Sequence, residues 1–388
     1  MFQFSALPPL SVYIHFPWCV QKCPYCDFNS HALKSQLPER DYVEALLRDL
    51  ESELPRIWGR KVTSVFMGGG TPSLFSAESL SYLLSSLRAL LALKPDVEIT
   101  LEANPGTLEQ SRFQEYREVG INRLSIGVQS FANSQLQALG RIHDRDAAIK
   151  AAERAHAADF KNFNLDLMFG LPGQDLATAM ADVKTALSLE PAHISYYQLT
   201  LEPNTEFYHR PPPLPGDDAI CDMQEHGQAL LAESGYQQYE VSAYARQDKR
   251  CKHNLNYWQF GDYLGIGAGA HDKITDVPAQ RITRRWKRKH PQDYLETAGT
   301  TDCVGGERHL STEDAAFEFM LNALRLTDGI ASQLFGERTG LPISVITEQL
   351  TLAEQRGWIE WDTFQLKPTA TGQQFLNDLV GLFLPADA

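Results

Sequence analysis

Over its first two-thirds the chain alternates short runs of β-branched and aromatic residues with longer stretches of helical character. Strand candidates are Ser11–Phe16 (SVYIHF), Val62–Met67, Val97–Ala103, Arg123–Gln129, Asn162–Met168 and His193–Leu199. Between them lie helix candidates at Arg40–Leu54, Ala77–Leu91, Leu108–Glu118, the Ala-rich Asp146–Ala158, and Asp175–Leu187. Strand–helix alternation in units of about thirty residues predicts parallel βαβ units. Six such units fit before Pro203, too few for a closed eight-fold barrel. The pattern therefore predicts an α/β fold class, a partial (β/α)6 barrel. Several strands end at unusual turns (GGGTP, EANPG, GVQS, LDLMFGLPGQ). Active sites of parallel α/β architectures sit at these strand ends, so polar residues there carry most weight.

The pattern breaks at Pro211–Gly216 (PPPLPG), a linker candidate. A helix near Asp217–Ser234, a strand near Tyr239–Ala243 and a crowd of glycines at Gly261–Gly269 follow. From Ser311 the chain reads helix, helix, short β, as in a small mixed and helical C-terminal domain of winged-helix type. The expected division is 1–210 for the partial barrel, 211–300 for a barrel extension, and 301–388 for the C-terminal domain.

Composition narrows the functional classes. The 388 residues are 43% hydrophobic and 22% charged, with a formal net charge of −14. So acidic a chain is poorly suited to nucleic acid, whose phosphates demand surface Lys and Arg. No run of about 18 apolar residues predicts a membrane span. The N-terminal residues lack the basic and apolar segments of a signal peptide, so the expected location is cytoplasmic. Three of the six cysteines fall within eight residues, which reads as metal binding and not as cross-linking.

That segment is Cys19-Val-Gln-Lys-Cys23-Pro-Tyr-Cys26. An iron–sulfur cube normally takes four thiolates, so three from one loop leave one iron open to a small molecule. A zinc knuckle completed by His15 or His31 is the alternative for these residues, in a binding protein without further chemistry. Zinc sites usually pair their ligands across a longer spacer.

The stretch Tyr13-Ile-His-Phe-Pro-Trp-Cys19-x3-Cys23-x2-Cys26 resembles the opening of the radical-SAM proteins related to oxygen-independent coproporphyrinogen III dehydrogenase, and the likeness runs through most of the chain. The resemblance implies a [4Fe–4S] cluster on Cys19, Cys23 and Cys26, with S-adenosylmethionine chelated at the open iron. It also implies a cofactor pocket drawn from Tyr13, Tyr25, Gly69, Gly70, Thr71, Glu102, Gln129, Arg141 and Asp166. A sulfonium ligand bearing an amine, a carboxylate and ribose hydroxyls suits such a mixture of acid, amide and guanidinium.

Two subgroups of this family compete, the dehydrogenase and the HemW-type haem chaperones. The dehydrogenase pattern continues to a further cysteine where this chain has Phe28. Only eighteen residues precede the first cysteine, whereas the dehydrogenase carries a longer N-terminal segment. The run His253-Asn-Leu-Asn-Tyr257-Trp258 matches the H-N-x-x-Y-W motif of the chaperones. An imidazole can ligate haem iron, and Tyr257 and Trp258 offer flat faces to a porphyrin. The implied role is therefore to bind haem on His253, Tyr257 and Trp258 and deliver it to haem-accepting proteins, without coproporphyrinogen dehydrogenase activity. Gly265-Ile-Gly-Ala-Gly-Ala-His271 also resembles the chaperones. The basic run Arg284–Lys289 (RRWKRK) is expected to be a solvated face; contact with propionates, an acidic acceptor or anionic lipid is the sharper reading. Peripheral membrane contact and a homodimer are both compatible with the sequence.

Overall fold

The computed structural model describes all residues except 35, 107–110 and 386–388. Its six N-terminal parallel strands are β1 (Leu10–Phe16), β2 (Lys61–Gly69), β3 (Ala92–Ala103), β4 (Arg123–Gln129), β5 (Phe163–Phe169) and β6 (His193–Gln198). Both faces of β1 are buried apart from partly exposed Tyr13, as expected where helices cover one side of a parallel sheet and a site the other. The covering helices are α1 (Glu39–Ile57), α2 (Ala77–Leu90), α3 (Phe113–Glu118), α4 (Arg145–Ala157) and α5 (Leu176–Ser188). Side chains set several helix starts: Ser76, Asp144 and Asp175 each accept the backbone N–H of the residue three positions on. Of the expected helix Leu108–Glu118, Leu108 lies outside the described residues, and the helix is seen from Phe113 onward.

The sheet extends beyond the six expected strands. Further strands are β7 (Gln237–Glu240), β8 (Ala243–Ala245), β9 (Asp262–Ile266), β10 (His271–Asp276), β11 (Arg281–Lys287) and β12 (Val304–His309). The twelve strands run in the order β12-β11-β10-β9-β1-β2-β3-β4-β5-β6-β8-β7. The glycine crowd at Gly261–Gly269 thus contains a strand, β9, that pairs parallel with β1. The strand expected at Tyr239–Ala243 is broken between Glu240 and Ala243 and forms an antiparallel pair.

The basic run is a solvated face only in part: Arg288 and Lys289 are exposed, whereas Arg284, Arg285 and Lys287, on β11, meet acids from other elements. Lys287 is buried, with Nζ 2.6 Å from both Asp49 and Glu53 of α1. Arg284 pairs with Glu318 and Arg285 with Glu307. Arg56 joins the network by bridging Glu53 (2.6 Å) and Asp272 (2.7 Å). Burying such charges is tolerable only because each is paired.

The C-terminal part contains α6 (Thr312–Ala323), α7 (Thr347–Gln355) and a three-stranded sheet of β13 (Ile330–Ala331), β14 (Ile359–Trp361) and β15 (Gln365–Pro368), in the order β13-β15-β14. Its core of Phe319, Leu324, Phe335, Leu350 and Leu366 also takes in Phe4, Phe260 and Ile282. Among the described residues no helix is long and apolar enough to cross a membrane.

Candidate functional site

The three cysteines lie just beyond β1, on a loop whose entry is held by parallel pairing of Trp18–Cys19 with His31–Ala32. All three line a cavity of about 580 Å3 together with the ends of the parallel strands. Each sulfur meets a polar side chain: Thr71 Oγ1 lies 3.5 Å from Cys19, Arg141 Nη1 3.5 Å from Cys23, and Ser30 Oγ 3.8 Å from Cys26. Burial pushes the Cys19 and Cys26 thiols up, while the buried guanidinium of Arg141 supplies positive charge that suits thiolates. Among the described residues, the His/Cys/Asp/Glu trio whose donor atoms all lie within 4.8 Å is Glu98, Cys251 and His253. The loop thiols are spread more widely than a single tetrahedral zinc ion wants. The proposed fourth zinc ligands are also engaged: His15 by Tyr13 and Asn29, His31 by Asn29.

Opposite the cysteines the glycine turn closes in. Gly69 has φ +109°, and a Cβ there would sit 2.5 Å from the His15 ring, so only glycine fits. Its N–H donates to Glu102 Oε2 at 3.0 Å. Burial and the nearby Asp166 push the Glu102 carboxyl up to about 8, leaving it a neutral acid at pH 7 that a cationic group would ionise. Gln129 also takes a left-handed backbone, φ 71°, uncommon for a residue with a side chain. Its Oε1 accepts from Tyr197 at 2.8 Å. Asp166 accepts from Asn164 (2.8 Å) and Ser125 (3.3 Å).

Of the residues singled out from the sequence, Tyr25, Gly69, Gly70, Thr71, Glu102, Gln129, Arg141 and Asp166 line this cavity with the cysteines. Tyr13 does not. Its hydroxyl is 2.7 Å from His15, and its ring faces a second cavity. Asn104 was missed, although it stands in the EANPG turn that drew attention. It accepts from Arg141 (2.7 Å) and donates to Thr71 (2.9 Å), joining the partners of two cysteines. Asn29 was missed as well. Its amide donates to the Ala268 and Lys289 carbonyls (2.9 and 2.8 Å), tying the cysteine loop to the β9–β11 side.

The second cavity, about 920 Å3, opens beside the first, and Phe28, Gly69, Glu102 and Trp258 line both. Tyr257, Tyr263 and Phe260 add aromatic wall, and Lys22, Lys289 and His271 add polar groups. Tyr257 and Trp258 come from α8 (Lys252–Trp258). His253, on the same helix, is not on the wall. Phe66 lines the cavity and stacks on the His253 ring (4.1 Å, 6°), placing the imidazole one layer behind. There Nδ1 lies 3.1 Å from Glu98 Oε1, and Cys251 Sγ lies 3.2 Å from the same nitrogen. Burial keeps His253 neutral. Glu98 stays ionised: against the upward push of burial, the His253 hydrogen bond and the Arg123 charge hold its carboxyl down to about 2. Glu98 also accepts the Lys252 and His253 backbone N–H groups. It thus caps α8 from strand β3, the strand that carries Glu102.

This arrangement has known counterparts. Residues 13–186 match the Radical SAM superfamily and residues 310–375 the HemN C-terminal domain. The chain is 52% identical to heme chaperone HemW of Haemophilus influenzae, covering 97% of this chain and 98% of that protein. It is 50% identical to heme chaperone HemW of Escherichia coli, covering 97% and 99%. Among solved structures, coproporphyrinogen III oxidase (HemN) from Escherichia coli superposes with a TM-score of 0.82 at 24% identity, over 97% of this chain and 90% of that one. The last likeness establishes the fold, a radical SAM partial barrel with an added C-terminal region. With a cysteine loop, strand-end pocket and near-full-length identity to the chaperones, the chain belongs to the HemW family of radical SAM proteins.

Proposed function

We propose that the protein binds haem in the second cavity and hands it to haem-accepting proteins, while Cys19, Cys23 and Cys26 hold a [4Fe–4S] cluster beside it. The observation that carries this reading is the common wall: a large aromatic-lined cavity opens next to the cysteine cavity and shares Phe28, Gly69, Glu102 and Trp258 with it. Flat rings on Tyr257 and Trp258 suit a porphyrin plane. Lys22 and Lys289 suit its propionates. His253 supports the site by fixing α8, through Glu98, behind that wall.

In the first cavity, Gly69, Gly70, Thr71 and Glu102, which line it with the cysteines, would receive the amino acid end of S-adenosylmethionine. Gln129, Arg141 and Asp166 surround the remainder, with Tyr25 beside the cysteines. When bound, the cluster supplies one-electron chemistry toward that sulfonium. Thr71, Arg141 and Ser30 steady the three thiolates by hydrogen bonds.

Anaerobically reconstituted protein given haem tests the proposal, with coproporphyrinogen III, S-adenosylmethionine and a reductant as the parallel assay. Stoichiometric haem binding, transfer to an apo-acceptor and no protoporphyrinogen are expected. Porphyrinogen turnover without tight haem binding would make the protein a dehydrogenase instead.

A further inference from the structure

The segment Gly265-Ile-Gly-Ala-Gly-Ala-His271 runs from the end of β9 through a tight turn into β10, and its glycines are closely packed. A Cβ on Gly265 would collide with the backbone of His271, and Gly267 (φ +105°) lies against the backbone of His15. Gly269 (φ +76°) lies against Asn29. The turn is thus moulded onto the strand and loop that carry the cysteines, and His271 stands at its end on the wall of the second cavity. The His271 ring stacks on Trp286 with centroids 6.0 Å apart and planes 24° apart.

The other imidazoles of that wall are committed. His15 uses Nδ1 toward Tyr13 and Nε2 toward Asn29 O. His31 is engaged by Asn29 and by the Lys289 backbone. Among the described residues, His271 has no hydrogen-bond partner on either ring nitrogen, and the residue is exposed. Among the described residues no cysteine or methionine lines this cavity, and imidazole is the nitrogen ligand it offers to haem iron.

We propose that His271, not the buried His253, supplies the ring nitrogen that ligates the iron of the haem taken up in the second cavity. The assignment rests on the haem-binding reading above. The step would be a ligand exchange: the His271 nitrogen lone pair would take the place of a water on ferric iron, which leaves to solvent, with no change of oxidation state.

The test titrates ferric haem and iron-free protoporphyrin IX separately into reconstituted wild type, His271→Ala and His253→Ala. Soret position, the electron paramagnetic resonance signal of the ferric iron, and affinity are the readouts. His271→Ala is expected to lose the imidazole-ligated spectrum and bind haem at least roughly tenfold more weakly, a loss typical even of groups that only support a metal ligand. Its affinity for protoporphyrin IX should be unchanged, and added imidazole should restore the haem spectrum. His253→Ala should keep the wild-type spectral type. An unchanged haem spectrum in His271→Ala, or equal losses for haem and protoporphyrin IX, would overturn the assignment. Wild-type protein that takes up neither porphyrin would overturn the haem reading itself, and the ligand with it.

Discussion

The two cavities share a wall but are built by different means. The first is the work of parallel strands: the loop after β1 and the ends of β2, β3, β4 and β5 each contribute a residue, and the polar groups converge on the sulfurs. The second is shared between the cysteine loop, the strands β1 and β2, and the added elements β9–β11 and α8, whose strands join the sheet where β9 pairs parallel with β1. Polar side chains of the first cavity contact one another, as in the chain Arg141–Asn104–Thr71. In the second, much of the polar apparatus stands behind the wall: Glu98, His253 and Arg123 on one side, Lys287, Asp49 and Glu53 on the other. A site that does chemistry must position charges inside it, whereas a site that holds a large flat cargo needs rigid walls and a few polar ends.

The contrast can be broken most severely at the cysteines. Cys23→Ala should abolish the brown absorbance of the reconstituted cluster altogether, while haem uptake by the second cavity persists; loss of both in a folded variant would mean that the cavities do not work separately. Lys287→Met comes next. It leaves Asp49 and Glu53 buried without their cation, at a cost of about 3–5 kcal/mol, readable as a fall in the urea midpoint at unchanged slope. A drop below about 1 kcal/mol would mean that the network does not clamp β11 to α1.

Glu98→Gln is expected to cost about 1.5–3 kcal/mol, the weight of hydrogen bonds to a charged group. It should loosen haem retention and leave S-adenosylmethionine binding alone, as isothermal titration would show. The last effect, spread over several pH units and small within each, concerns Glu102. The Glu102 carboxyl, held up to about 8, is protonated in the ligand-free protein at pH 7. Its folded value exceeds its unfolded one, so the contribution of Glu102 to stability is greatest below the unfolded value and declines as pH rises toward 8. The sulfonium cation of S-adenosylmethionine favours the ionised form, so its affinity should climb with pH by up to about tenfold per unit until about 8 and then level. Glu102→Gln should flatten that rise; a persisting slope would assign it elsewhere.

The first cavity was far more legible in the sequence than the second. Four strand ends with odd turns announced most of its residues, and the barrel strands lie within a few residues of their expected places except that β3 begins earlier, at Ala92. The second depends on pairings that local pattern does not reveal. Gly261–Gly269 has a single β-branched residue, Ile266, among four glycines, yet β9 forms there, and Gly265 admits the neighbouring backbone of His271. The RRWKRK run reads as surface because its acids, Asp49 and Glu53, lie more than two hundred residues away. The motif spacing put His253 and Tyr257 on one helical face, but an i, i+4 relation does not say which of them meets a cavity and which meets Glu98.

The position of β1 in the sheet bears on the order in which the molecule is made. β1 is flanked by β2 on one side and by β9 on the other, and Asn29 is anchored to the carbonyls of Ala268 and Lys289. A ribosome that has just released the three cysteines has therefore supplied neither neighbour of the strand before them. The loop gains its last support only after about three-quarters of the chain has emerged, and pairings of such sequence separation form slowly. On the proposed reading, iron–sulfur loading is expected to be a late event, carried out on a nearly complete chain and not on a nascent one.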